Sequence, residues 1–362
     1  MLLINRLQKC LSQDNGKTSH PATSGGISSG KNSGIKVKGR RFVGALGSDE
    51  QLGIGFGTVT PRISRGKLLV DQMMAYRVVP AAVVANQFNY FLDGIQRSWL
   101  LYYQGFVPVY YGYIAAVIRE RVDRTLQTWH YAVDEALYLP KHLLDDVELA
   151  RLEDAEISIV DTDPEQRINL ANLQPMELQE IARNAIGNRR EKLEAQLAEY
   201  WIKEKPANAG WLVVDGSITI SPMVASQEKI LGIIKSHNTQ YFPFPEQDVI
   251  LNLAAGERSS IFQPPFRSDD HPKVCSCYLR LRSNSANGEI LPGQDLYFGL
   301  VRLEVAMVEK QQIDEVSSWL LTECRPLSMP DSRWDRMIYP IRDCEQFLRS
   351  KEPSRSAFGW FS

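Results

Sequence analysis

Cysteine is scarce in this chain of 362 residues, with only five scattered along its length. An odd and dispersed set argues against a disulfide framework and favours a reduced, cytosolic setting. Cys275 and Cys277 form a C-x-C pair inside a strand-like run, without a second cysteine pair or histidines at zinc spacing. We therefore predict that both lie in a sheet or core and not in a metal site.

Long apolar runs are also missing. The longest candidate, residues 78–84, soon meets Asn86 and Gln87, so no stretch reaches the length that spans a membrane. Residues 1–6 lack the apolar core of a signal peptide. The net charge of -2 gives no global basicity, so any contact with nucleic acid has to come from a local patch.

The remaining composition is that of a globular body with a distinct N-terminal segment. Hydrophobic residues make up 44% of the chain and charged residues 23%. Up to Phe42, eight Lys and Arg residues stand against one acid, Asp14, among many Ser, Gly and Asn residues. We predict a flexible basic arm over residues 1–41 and a folded domain over residues 42–362. The arm is either a phosphate-binding segment or a solvated tail.

A glycine-rich stretch at residues 52–57 superficially suggests a phosphate loop. It lacks the Lys-Ser/Thr pair of a P-loop and the third glycine of a dinucleotide fingerprint, and Pro61 follows in place of a helix start. We interpret it as a turn or a sheet edge.

Two aromatic or apolar runs end in Asp-Gly. Residues 211–214 read as a strand buried on both faces, followed by Asp215 and Gly216. Residues 88–92 repeat the pattern before Asp93 and Gly94. Each Asp-Gly is either a simple turn signal or a carboxylate placed at a strand end that opens toward solvent.

Helices are predicted between and beyond these strands. Residues 115–130 read as a helix carrying three arginines, and a longer helical pattern runs from Pro175 to Trp201 with an interruption at Gly187. At 100° per residue, Glu194 falls at the edge of the apolar stripe of that second helix. It is therefore the glutamate best placed to reach inward, unless it is an ordinary surface residue.

Together, Asp93, Glu194 and Asp215 form a candidate set of metal ligands. Hard divalent cations such as Mg²⁺ and Mn²⁺ prefer oxygen ligands, and two such ions promote phosphodiester cleavage. The order of the three acids along the chain is compatible with their meeting in an α/β sheet.

The chain resembles the NurA nuclease family in short islands over roughly residues 85–350, which include four motifs in a fixed order. They are FLDG (91–94), RREKLE (189–194), WLVVDGS (211–217) and GIIKSHNTQY (232–241). The resemblance implies an α/β fold with an RNase H-like mixed sheet flanked by helices, further β-rich segments and a disordered N-terminal arm. It also implies a DNA nuclease that depends on Mn²⁺ or Mg²⁺, forms a homodimer and works with a hexameric HerA-like ATPase.

Carried over motif by motif, the resemblance assigns the metal to Asp93, Asp215 and Glu194, with Glu191 as the fallback for the helix glutamate. Tyr241 and Lys235 match the motif beyond the second aspartate, where they would position or neutralise the phosphate. We further expect three arginines to line the DNA path: Arg258, Arg280 and Arg302.

One departure from the family concerns the segment after Tyr339-Pro340, where the family commonly has histidines and this chain has none. Asp343 or Glu345 would have to substitute as an oxygen ligand. The departure keeps a second hypothesis open, a NurA-like scaffold or DNA-binding subunit with weak or no catalysis. An Argonaute-like RNase H domain is a weaker third reading, because no guide-binding lobes are evident.

Overall fold

The computed structural model describes most of the chain beyond residue 61. The described residues are 3, 5–6, 62–104, 106–144, 146–168, 175–265, 272–283, 295–324 and 334–353. Apart from residues 3, 5 and 6, the predicted basic arm over 1–41 lies outside them, as does the glycine-rich stretch at 52–57. The division into an arm and a domain therefore stays a prediction.

The sheet is built around three long antiparallel strands: β4 (Phe88–Gln104), β5 (Val107–Val122) and β6 (Thr125–Leu139). Short strands precede them: β1 (Arg62–Ile63), β2 (Lys67–Leu68) and β3 (Tyr76–Val78). Those that follow are β7 (Ile159–Asp161), β8 (Trp211–Asp215), β9 (Ile230–Ile234), β10 (Thr239–Gln240), β11 (Glu257–Ser259), β12 (Phe262–Gln263), β13 (Val274–Arg280) and β14 (Leu300–Ala306).

The helix predicted over residues 115–130 is wrong, because this segment belongs to β5 and β6. Val122 pairs with Thr125 across a two-residue turn, and Asp123 takes φ 56° there, as the tight turns of hairpins require. The valines, isoleucines and aromatic residues on either side favour the pleated surface of a sheet. Arg119 and Arg121, assigned to a helix face, instead project from β5.

Twelve of the strands in the described part of the chain form one mixed sheet, in the order β2-β12-β13-β14-β9-β8-β4-β5-β6-β7, with β11 pairing to β13 and β3. At its centre, β6, β5 and β4 are antiparallel, β8 is parallel to β4, and β9 is parallel to β8. This is the strand arrangement of an RNase H-like sheet. The predicted α/β fold class, a mixed sheet flanked by helices, is confirmed.

Helices cover both faces of the sheet. They are α1 (Asp146–Asp154), α2 (Pro175–Glu204), α3 (Pro222–Ser226), α4 (Glu246–Leu251), α5 (Ile313–Glu323) and α6 (Tyr339–Arg349). None of the helices in the described ranges has the length and apolar character needed to cross a membrane.

Alternation along the strands assigns each side chain to one face. Leu92 of β4 and Val214 of β8 pack with Leu197 and Trp201 of α2, and we call this the α2 face. The neighbouring residues point the other way.

On that opposite face, Phe91 of β4 and Val213 of β8 join a core that includes Ile341 and Cys344 of α6. We call it the α6 face. Cys275 and Cys277 belong to the same core and are fully buried in β13, which confirms the prediction that they are core residues.

Helix α2 runs without a break through Gly187, so the predicted interruption is wrong. The helix packs along the sheet on both sides of this glycine, with Ile186 and Trp201 fully buried. Burial of this apolar stripe outweighs the cost of about 1 kcal/mol that a glycine imposes on a helix interior.

We expect Gly187→Ala to raise the free energy of unfolding by about 0.5–1 kcal/mol, because alanine loses less conformational freedom in a helix. A Cβ at Gly187 has only ordinary contact with Gln96 at 3.6 Å. Urea unfolding monitored by circular dichroism measures the effect as a higher midpoint with an unchanged slope. A lower midpoint would contradict the continuous helix.

Candidate active site

Asp93 and Asp215 are neighbours across the parallel strands β4 and β8. The register pairs Leu92 with Val214, so the next residue on each strand is an aspartate, and both aspartates point to the α6 face. Strand β8 ends at Asp215, which places the pair at the carboxyl edge of β8.

Asp93 is not at the end of its own strand, contrary to the prediction. It is the sixth residue of β4, and Gly94 continues the strand as the partner of Ala116 in β5. Because β8 ends beside Asp93, the following part of β4 has no β8 partner on that side. The chain therefore does not turn after Asp93; strand β4 continues past the end of β8.

Lys235 supplies positive charge on the same face. It follows β9 directly, and its Nζ lies 2.8 Å from both carboxylate oxygens of Asp215. The sulfur of Met337 is 3.5 Å from the same ammonium. The Lys235 side chain is 8% exposed and that of Asp215 is 17% exposed, so this ion pair is largely shielded from water.

Glu194 approaches from α2, on the other face of the sheet. Its carboxylate lies where a Cβ on Gly94 would stand, so the absence of a side chain at Gly94 permits the approach. Arg190, one helical turn earlier, donates to this carboxylate and to the Oε1 of Gln96 at 3.2 Å. Glu194 is 4% exposed, whereas the side chain of the fallback, Glu191, is 56% exposed.

Burial and mutual repulsion govern the protonation of these acids. Burial, then the nearby Asp215 carboxylate, raises the pKa of Asp93 well above its ordinary value, opposed by Lys235 and reinforced by Glu194 and Glu345. Burial also raises the pKa of Glu194 to about 7, against the lowering effect of Arg190. Asp93 and Asp215 therefore repel each other on one face of the sheet, and Glu194 adds its negative charge from the other face.

The donor chemistry of this cluster fits a hard divalent cation, since Asp93, Glu194 and Asp215 offer only carboxylate oxygens. The buried Asp93 carboxylate gains from any further positive charge placed beside it. Positive charge at the other two acids comes from Lys235, which pairs with Asp215, and from Arg190, which pairs with Glu194. Within the described residues, no group of three Asp, Glu, His or Cys side chains is arranged as metal ligands.

Helix α6 begins at Tyr339 and holds the two candidate substitute ligands, Asp343 and Glu345, in different surroundings. Asp343 accepts a hydrogen bond from Nε of Arg119 at 2.8 Å and is bound in that ion pair. Glu345 is buried, and its charge raises the pKa of Asp93. Arg349 donates a hydrogen bond to Glu345 at 2.6 Å. Of the two candidate substitute ligands, Glu345 is therefore the one whose charge acts on the pKa of Asp93.

Tyr241 lies in an aromatic cluster beyond β9. Its ring packs beside Phe262, and the guanidinium carbon of Arg302 lies 5.0 Å from the ring centre. Arg302 in turn connects to Glu304, a buried acid that the sequence analysis did not assign to the site. The alternation of Arg302 and Glu304 in the otherwise apolar strand β14 was the available signal for this network.

The three arginines expected along a DNA path are 7% exposed or less. Arg258 pairs with Asp314, and Arg280 donates to the carbonyls of Leu253 at 2.8 Å and Leu251 at 2.6 Å. Arg302 pairs with Glu304. In this structure the three guanidinium groups bind the protein acceptors around them, as buried charged groups must, and their contact with DNA stays a prediction.

The His237 ring is held by contacts with the protein around it. Its ring stacks on Tyr297 with centroids 4.9 Å apart, and its Nε2 lies 3.0 Å from the carbonyl of Leu300. Burial lowers the pKa of His237 to about 4, so the ring is neutral at pH 7. His271, the other histidine downstream of Asp215, lies outside the described residues.

We expect Gly94→Ala to destabilise the protein by about 1–3 kcal/mol, because the added methyl group overlaps the Glu194 carboxylate. Arg190 holds that carboxylate in place, so the strain has to spread into α2. Urea unfolding beside Gly187→Ala provides the matched comparison, with opposite signs expected for the two substitutions. A neutral Gly94→Ala would contradict the close approach of Glu194 to the sheet.

No family model matches the chain, and no curated protein matches it. Among solved structures, the chain is similar to the NurA nuclease from Sulfolobus solfataricus, with 12% sequence identity and a TM-score of 0.43. The similarity covers 78% of this chain and 84% of that chain.

Proposed function

We propose that the protein is a divalent-metal-dependent DNA nuclease whose active site is the cluster of Asp93, Asp215 and Glu194. The observation that supports this most is the register of β4 and β8, which sets two aspartates side by side at the end of β8. Burial and repulsion from Asp215 raise the pKa of Asp93 despite the nearby Lys235, so the ionised carboxylate would gain from further positive charge. Carboxylates brought together at a strand end with a raised pKa are a feature that metal centres and active sites share.

Asp93, Asp215 and Glu194 would hold Mn²⁺ or Mg²⁺, with Glu345 near enough to Asp93 to add negative charge. A bound divalent ion supplies the Lewis acidity that phosphodiester hydrolysis needs. Lys235 would bind the phosphate, since its ammonium lies beside the acids and carries the charge that a phosphate attracts. Tyr241, six residues after Lys235 in the sequence, would position the substrate.

DNA as the substrate, a homodimer and a HerA-like hexameric ATPase partner are further parts of the proposal. They come from the resemblance of the four motifs to the NurA family. The basic arm over residues 1–41 would add affinity that is independent of sequence and sensitive to salt. DNA end processing, repair or defence is the process that fits these properties.

The second candidate function is a catalytically weak scaffold or DNA-binding subunit of an ATPase complex. One observation favours it: Lys235 and Arg190 already pair with Asp215 and Glu194, and the described acids are not arranged as ligands. Buried side-chain ion pairs of this kind also occur as purely structural features.

The deciding experiment is cleavage of end-labelled linear and circular DNA, single- and double-stranded, with Mn²⁺, Mg²⁺ or EDTA. We expect metal-dependent cleavage by the wild type and none by Asp215→Ala. The circular substrates distinguish internal cutting from cutting at ends. Absence of cleavage by the wild type, alone and with a HerA-like ATPase, would favour the scaffold.

We expect Glu194→Gln to lower the cleavage rate at least about 100-fold, because it removes one charged oxygen ligand. Glu191→Gln is the matched control on the same helix, three residues away and exposed to solvent. It should leave the rate within about twofold of the wild type, as surface substitutions generally do. The reverse ranking of the two variants would reassign the helix ligand to Glu191.

A further inference from the structure

The turn after Asp215 lies flat against strand β9. Gly216 takes φ 148°, and the next residues form a short 3-10 helix, Ile218–Ile220. A Cβ on Gly232 of β9 would stand 2.7 Å from the carbonyl oxygen of Gly216 and 3.0 Å from Cγ2 of Ile218. Only glycine at position 232 therefore lets the turn pack this closely on the α2 face.

Glu304 holds this turn from the adjacent strand. It lies opposite Gly232 in the pairing of β14 with β9, and it is 2% exposed. Its Oε2 accepts hydrogen bonds from Oγ of Ser217 at 2.5 Å and from the backbone N–H of Ile218 at 3.2 Å. One buried carboxylate thus satisfies two donors within three residues of Asp215.

Arg302 extends the contact toward Tyr241. Its guanidinium donates to Oε1 of Glu304 and to Oγ of Ser276, the latter at 3.3 Å, and lies over the Tyr241 ring. A continuous path of contacts therefore connects the turn after Asp215 with Tyr241. Asp215 and Tyr241 belong to two different sequence motifs, residues 211–217 and residues 232–241.

We infer that Glu304 is a positioning residue, which fixes the turn that follows Asp215 and, through Arg302, the ring of Tyr241. The catalytic part of this inference rests on the proposed nuclease function. The structural part does not, because it concerns the hydrogen bonds of the turn itself. A buried ion pair such as Arg302–Glu304 is costly to form in a strand of apolar residues. The two hydrogen bonds that Glu304 accepts from the turn offset this cost.

Hydrogen exchange with mass spectrometry tests the structural part. We expect Glu304→Ala and Ser217→Ala to speed amide exchange in residues 216–221 by about tenfold, while residues 313–323 of α5 keep their protection. Ser217→Ala removes only one of the two bonds and guards against the case in which Glu304→Ala fails to fold. Unchanged exchange at the turn in either folded variant would overturn the inference, whether or not the protein is a nuclease.

Steady-state DNA cleavage with Mn²⁺ tests the catalytic part. We expect Glu304→Gln to lower kcat about 10- to 100-fold with KM within twofold. The single amide oxygen of glutamine cannot accept from both Arg302 and the two donors of the turn, so the turn after Asp215 shifts while the substrate contacts remain. Glu309→Gln is the matched control, since Glu309 is also buried but bonds to the backbone of Lys229 at 3.3 Å. It should retain the wild-type kcat.

The outcomes separate the two proposals. An inactive wild type would overturn the nuclease function and leave the exchange result to decide whether Glu304 holds the turn. An active wild type with an unchanged kcat in Glu304→Gln would overturn the positioning of Asp215 by Glu304.

Discussion

Asp93→Asn is expected to abolish DNA cleavage and, at the same time, to make the protein more stable. The loss of activity should reach about 10³-fold or more, since a neutral amide is a poor ligand for a hard cation. The gain in the free energy of unfolding should be about 1–2 kcal/mol at pH 7.

The gain in stability follows from the surroundings of Asp93. Burial and the neighbouring Asp215 raise the pKa of its carboxyl group, so the ionised form opposes folding at neutral pH. An asparagine removes that charge and still accepts the hydrogen bond that the N–H of Gly94 donates to Oδ1 at 2.8 Å. The shape of the side chain is preserved.

Urea unfolding and cleavage assays on the same preparations measure both effects. Asp343→Asn is the control, an aspartate on the facing helix that pairs with Arg119. It should keep its activity and lose roughly 1 kcal/mol of stability. A destabilised Asp93→Asn would show that the carboxylate serves the fold.

Lys235→Met is expected to destabilise the protein by about 3–5 kcal/mol and to abolish cleavage. The substitution leaves Asp215 in a largely buried position without its cation and beside the acidic Asp93. Methionine keeps the length of the apolar stem, so the loss of the charge dominates the effect.

The double variant Lys235→Met/Asp215→Asn separates charge from packing. Removing both charges should recover most of the lost stability, with a coupling energy of about 1–3 kcal/mol, while activity stays absent. Urea unfolding of the wild type, both single variants and the double variant completes the cycle. Additive effects would mean that Lys235 and Asp215 do not interact.

The sequence predicted the elements that depend on local patterns. The apolar run before Asp215 is the buried strand β8, and the helical pattern from Pro175 to Trp201 lies in helix α2. Glu194, at the edge of its apolar stripe, is indeed directed toward the sheet. These features follow from periodicity and from the spacing of apolar residues.

The errors arose where tertiary packing overrides local signals. Asp-Gly at 93–94 indicated either a turn or a strand end, but pairing with β5 continues the strand through Gly94, whose missing side chain leaves room for Glu194. Arg258 and Arg280 were expected to line a DNA path, and nothing in their local sequence reveals Asp314 or the carbonyls that bind them. Likewise, the link from Glu304 to Ser217 joins residues 87 positions apart.

Titration of Mn²⁺ into the protein, followed by electron paramagnetic resonance, tests the central claim most directly. We predict that the wild type and Asp343→Asn bind Mn²⁺, and that the folded Asp93→Asn variant binds it at least about tenfold more weakly. Equal binding by all three proteins, or no binding by the wild type, would contradict a metal centre at Asp93, Asp215 and Glu194.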